Sequence, residues 1–138
     1  MKNLTSKKYQ ILHHPADLKI KAYGKNLKEL FENLFLGIKE GTRPEILKEE
    51  VINQFQINSE NFENLIFDFL AELVYQMDFN DAFYQKVEFQ KESDKELVGK
   101  IFGYKVKRFT TEIKGVTWYD FEIKKENNNF ILTVVFDV

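Results

Sequence analysis

Asp17-Leu18-Lys19-Ile20-Lys21-Ala22-Tyr23-Gly24, followed by Lys25-Asn26-Leu27-Lys28-Glu29-Leu30-Phe31, is the stretch on which the reading of the fold turns. In its first half Leu18, Ile20 and Ala22 alternate with Asp17, Lys19, Lys21 and Tyr23, the two-residue period of a half-buried strand. Gly24 ends the alternation. Asn26 with Glu29 three residues on is a variant of the capping box, offering a side-chain oxygen to the open amides of a first helical turn. Leu27, Leu30, Phe31, Leu34, Phe35 and Ile38 then recur at helical spacing, with Gly41 and Pro44 as the expected stop.

Upstream, residues 8–23 read as two short strands joined at His13-His14-Pro15-Ala16. Downstream, residues 50–57 form a weaker strand candidate, and Asn58-Ser59 opens a second helix. That helix carries the stripe Phe62, Leu65, Ile66, Phe69, Leu70, Leu73, Val74 and Met77. The two helices are expected near residues 26–40 and 59–78. After Asp81 the pattern turns to strands: around Val87 and Phe89, then 97–106, 113–123 and 130–138. Residues 92–96 and the run Asn127-Asn128-Asn129 read as hairpin turns. Helices early and strands late predict an α+β fold, two helices covering one face of a mainly antiparallel sheet, in a single domain over residues 1–138.

The 138 residues are 43% hydrophobic and include 14 phenylalanines, enough for one core without a disulfide or metal staple. Lys and Arg number 20 against 22 Asp and Glu, so the chain lacks the positive excess of a free-standing nucleic-acid binder, and no direct DNA binding is expected. The absence of cysteine excludes thiolate zinc sites, iron–sulfur clusters and cysteine nucleophiles. No apolar run approaches the roughly 18 residues of a membrane span, and residues 1–8 hold no signal-peptide core. A cytoplasmic protein without membrane association is the expectation. Neither Gly24-Lys25 nor Gly99-Lys100 has the earlier glycine of a P-loop, two adjacent histidines make no zinc cluster, and no serine sits in a nucleophile elbow. An independent nucleotide-hydrolysing enzyme is not expected.

Three features carry potential chemistry. Asp17 sits where a strand begins; it reads either as a turn aspartate bonding nearby amides or as a ligand. Asp137 ends an apolar strand next to Val138, so its carboxylate and the α-carboxylate of Val138 lie close; this is either a solvated terminus or a pair of groups joined by a cation. Lys114 falls, on regular alternation, on the face of Val116 and Trp118. It is either a snorkelling edge residue or a cation aimed into an acidic pocket.

The string His14-x-Ala16-Asp17-x-x-Ile20-x-Ala22-Tyr23-Gly24, with Leu27-x-Glu29-Leu30-Phe31 after it, resembles the opening of the archease family. Phe69-Leu70-x-Glu72-Leu73 resembles that family's second-helix motif. Glu112-Ile113-Lys114-Gly115-Val116-Thr117 resembles its Glu-Val-Lys-Ala-Val-Thr motif, and Phe136-Asp137-Val138 its terminal Asp-Val/Ile. The resemblance implies an accessory protein of the RtcB-type RNA ligase, which joins RNA ends in tRNA splicing and repair through a guanylylated histidine. Such a protein promotes guanylylation and multiple turnover without being the ligase, and meets RNA only through it. The resemblance further implies a calcium-like divalent-cation site at Asp17, Asp137 and Val138, with Lys114 acting beside Asp17 and Asp137.

The chain departs from the pattern at Pro15, where Thr is usual, at Tyr119, where His is frequent, and at Gly103-Tyr104 in place of Gly-Glu. A short loop lacking the usual histidine is expected at residues 105–110. An all-oxygen ligand set without cysteine favours a hard cation, Ca²⁺, Mg²⁺ or Mn²⁺, over zinc. The competing class is a chaperone-like interaction module, which should expose a large apolar patch. A small metal-dependent hydrolase would need a general base that the sequence does not clearly supply. The site reading requires Asp17 to lie within a few ångströms of Asp137, with Lys114 approaching the same pocket.

Overall fold

The computed structural model describes residues 7–12 and 16–138, so the His13-His14-Pro15 joint lies outside the described residues. The elements are β1 (Tyr9–Leu12), β2 (Asp17–Gly24), α1 (Leu27–Thr42), β3 (Pro44–Asn58), α2 (Phe62–Asn80), β4 (Ala82–Glu92), β5 (Glu96–Phe109), β6 (Gly115–Glu126) and β7 (Asn129–Asp137). This is the expected α+β class: two helices and antiparallel strands. The strands, however, form two sheets rather than one, in the orders β1-β2-β7-β6 and β3-β5-β4. Both helices touch both sheets. α1 rests on β2 and β1 and also meets β4, while α2 rests on β6 and meets β3, β4 and β5.

Aromatic packing explains the arrangement. Phe31 of α1 and Phe69 of α2 lie with ring centres 4.4 Å apart, and Phe55 of β3 meets Phe69 edge-on at 5.0 Å and Phe89 of β4 at 5.9 Å. Four elements thus share one cluster that no single sheet face could supply. On the larger sheet Leu18, Ile20 and Ala22 of β2 lie beside Phe136, Val134 and Leu132 of β7, all buried and facing the helices.

Local chemistry sets the helix ends. The Asn26 side chain accepts the Glu29 N–H at 2.8 Å, while the Glu29 carboxylate accepts from the Lys25 N–H at 2.7 Å instead of from the cap residue itself. α2 begins later than expected. β3 runs on to Asn58, paired with Glu96, so the cap falls to Asn61, whose side chain accepts the Asn64 N–H at 2.8 Å. Arg43 and Asp81 close the helices in the left-handed conformation. Gly41 does not stop α1. It lies inside the helix, where a Cβ would come within 2.6 Å of the Leu18 side chain, so its bareness seats α1 on β2.

β3 starts at Pro44, well before residue 50, because the polar run 45–50 hides a strand that pairs along the far half of β5. For the same reason residues 105–109 continue β5 rather than form a loop. The free edge of β4 is met by α1: Lys28 donates to the Val87 carbonyl at 2.7 Å and the Val87 N–H donates to Glu32 at 3.1 Å. Asn127 and Asn128, both at positive φ, make the expected turn between Glu126 and Asn129.

Candidate functional site

β2 and β7 are neighbours in the sheet and run antiparallel, in a register that sets the first residue of β2 opposite the last of β7: Asp17 pairs with Asp137. Residues directly opposite share a face of the sheet, with Cβ atoms about 4.5–5.5 Å apart. Leu18 and Phe136, one step along, point to the helices, which puts both carboxylates on the outer face. On the other side of β7, Asp137 is opposite Gly115 of β6. A Cβ at Gly115 would meet no atom within 4 Å, so that flank of Asp137 is open.

The connection from β5 to β6 is tied to the same corner. Thr110 and Thr111 donate backbone N–H groups to the Arg43 and Thr42 carbonyls at 3.2 and 3.0 Å, satisfying the end of α1. The segment then reaches Lys114, whose N–H donates to the Asp137 carbonyl at 2.7 Å. Lys114 therefore precedes β6 instead of lying within it. Its residue borders a groove of about 550 Å³ with Phe67, Ala71, Tyr75 and Glu112. Among the described residues its ammonium forms no ion pair, with Asp17, Asp137 or any other carboxylate. Val138 packs against the edge of the core, which holds its main chain beside Asp137.

Two like charges directly across a strand pair repel, and a cation between them removes the penalty. Among the described residues no three His, Cys, Asp or Glu side chains converge. The acidic pair offers carboxylate oxygens from Asp17 and Asp137, with main-chain oxygen from Val138 as the adjacent donor. Such a set fits a hard cation with open positions for water or phosphate, and does not fit zinc.

The outer face holds one feature that periodicity missed. The register jumps from Thr117↔Val135 to Glu122↔Thr133, so residues 118–121 bulge from β6, with Asp120 at φ 55°. Asp120 accepts from the Lys19 ammonium at 3.1 Å, an ion pair that crosses over β7 at the level of Val135. Val135 is only 1% exposed although it lies on the outer face. The hollow beside it, about 450 Å³, is lined by Leu12, Lys19, Lys21, Asp120, Glu122 and Thr133. The only sign in the sequence is that Trp118-Tyr119-Asp120-Phe121 interrupts the alternation.

Two antiparallel sheets sharing two helices define a small α+β protein class, and in this chain the strand before the first helix meets the last strand at an aspartate pair. The chain belongs to the archease family: residues 9–138 match the Archease protein family (MTH1598/TM1083). It is 32% identical over 146 aligned residues to the protein archease of Methanosarcina mazei, covering 96% of this chain and 97% of that one. It is 29% identical over 140 residues to that of Sulfurisphaera tokodaii, covering 95% and 99%. The solution structure of Methanobacterium thermoautotrophicum protein 1598 superposes with a TM-score of 0.69 at 26% identity, over 94% of this chain and 98% of that one. The crystal structure of an archease, possible chaperone, from Thermotoga maritima shares the fold with a TM-score of 0.68 at 22% identity, over 94% and 96%. Among the described residues no helix is long and apolar enough to cross a membrane.

Proposed function

We propose that this chain is the accessory protein of an RtcB-type RNA ligase, promoting the ligase's guanylylation and so its multiple turnover in tRNA splicing and RNA repair. The observation that carries the reading is the register pairing of Asp17 with Asp137. Membership of the archease family supports it. Asp17, Asp137 and the main-chain oxygen of Val138 would hold a divalent cation, Ca²⁺ first and Mg²⁺ or Mn²⁺ as alternatives. When bound, the cation supplies positive charge to phosphate oxygens of the partner's nucleotide.

Lys114 adds a second positive group at a defined place, because its own N–H is anchored on the Asp137 carbonyl at 2.7 Å. Its ammonium orients a phosphate or an acidic group of the ligase, so the chemistry of this chain is positioning of another protein's reaction. With a net charge of −2 the chain leaves RNA binding to the ligase, in the cytoplasm. The test is ligase guanylylation and RNA joining at several turnovers per enzyme, with and without this chain. Stimulation that is lost in Asp17→Asn and Asp137→Asn and reduced in Lys114→Ala is expected. Equal ligase rates with and without the wild-type chain would overturn the proposal.

A further inference from the structure

α2 carries two apolar stripes; the fold buries one and covers only the Phe67 end of the other. Leu65, Ile66, Phe69, Leu70, Leu73, Val74 and Met77 are buried against the sheets. Phe67, Ala71, Tyr75 and Phe79 follow one another at every fourth position, a second line along the helix. Tyr75 is 55% exposed and Phe79 69%, and their rings stack with centres 5.6 Å apart and 17° between planes. Trp118 of the β6 bulge, half exposed, lies flat on Phe67 at 3.9 Å and 5°. Phe67, Ala71 and Tyr75 of this line, with Asp78, form one wall of the groove of about 550 Å³, whose other wall is the segment from Glu112 to Val116 that leads into β6.

Charge identifies what fits there. From Phe62 to Asn80 the helix has no Lys, Arg or His, but it carries Glu63, Asp68, Glu72 and Asp78. Glu112 adds a further carboxylate across the groove, against the single ammonium of Lys114. Single-stranded RNA would find aromatic platforms but an acidic surround that repels its phosphates. A second copy meeting this one through α2 would set two acidic helices face to face. We propose that the outer stripe of α2 is a docking site for a basic, aliphatic protein segment. Its apolar side chains enter the groove beside Ala71 and Val116, its guanidinium groups lie over the Tyr75–Phe79 stack, and Asp78 and Glu112 pair with its charges. The inference rests on α2 and its groove, and does not depend on the ligase reading.

Trp118 is the chain's one tryptophan and stacks on Phe67 of the groove wall, so its emission reports on binding there. The full chain is titrated with a synthetic amphipathic leucine–arginine peptide and with a matched leucine–glutamate peptide. A saturable change with the first and none with the second is expected. Tyr75→Ser and Phe79→Ser, at exposed positions that leave the core untouched, should each weaken binding about tenfold. Asp78→Asn with Glu112→Gln should weaken it and flatten its salt dependence. Thermal melts of every variant verify the fold. Equal binding of the two peptides, or unchanged affinity in Tyr75→Ser, would overturn the proposal. So would saturable binding of an oligouridine at this surface, or a wild-type dimer in sedimentation that Phe79→Ser dissolves.

Discussion

Replacing Asp137 by Asn should make the protein more stable without divalent cation and less stable with it. Asp137 stands opposite Asp17 in the β2–β7 ladder, which sets their Cβ atoms roughly 5 Å apart. Two unit charges at that distance repel by about 0.8 kcal/mol at the dielectric of water and about 3 kcal/mol at an effective value near 20. Asp137 is exposed, so the lower figure applies, reduced further by salt. Asn keeps the shape and removes the charge. In chelator the variant should therefore gain about 0.3–0.7 kcal/mol, a rise in melting temperature of roughly 1–3 °C for a chain of this size. Calcium at about a hundred times its dissociation constant should add roughly 2.7 kcal/mol to the wild type and little to the variant. Thermal melts in EDTA and in graded Ca²⁺, Mg²⁺ and Mn²⁺, with calorimetric titration of each ion, measure both quantities. A variant no more stable than the wild type in EDTA, yet raised equally by calcium, would refute the shared-cation argument.

Gly103→Ala should cost roughly 3 kcal/mol or more in urea denaturation, because the added Cβ would lie 1.9 Å from the Phe83 carbonyl oxygen and 2.7 Å from the Tyr84 Cα, backbone atoms that only a shift of β4 can move. Gly115→Ala, where nothing lies within 4 Å, is the matched control and should be nearly neutral. Asn26→Ala should lose about 1 kcal/mol with the bond to the Glu29 N–H, and Asn26→Asp should retain most of it, as helix-sensitive circular dichroism melts can measure. Burial raises the Tyr84 phenol above its ordinary 10.0, while the Asn80 amide bond opposes the shift and the Glu72 charge adds to it. The native state thus favours the protonated phenol: its contribution is complete below pH 10 and is lost as pH rises through the raised value. Tyr84→Phe should accordingly flatten the alkaline fall of stability, at the cost of the hydroxyl's bonds to Asn53 and Asn80, and denaturant midpoints across the alkaline range would show it.

Much of this protein is legible as local pattern. The alternation of Leu18, Ile20 and Ala22, the α1 line from Leu27 to Ile38 and the α2 stripe through Met77 each name their own buried face, since period and capping act within a few residues. The Asn127-Asn128 turn is equally local, because positive φ suits asparagine. Which strands meet is another matter. Nothing in the period of β2 chooses β7 as its neighbour, and the split into two sheets follows from Phe31, Phe55, Phe69 and Phe89 converging from four elements. The true start of α2 at Asn61 and the strand character of residues 105–109 depend on β3 and β5 extending each other by pairing, against polar sequence that reads as loop. The bulge at residues 118–121 likewise shows only in the register against β7. For the site, sequence motifs named Asp17, Lys114, Asp137 and Val138, but their types alone did not bring them together. The two aspartates face each other because β2 and β7 pair antiparallel in a register that sets the start of one against the end of the other, and the shared core beneath β2 and β7 holds that register.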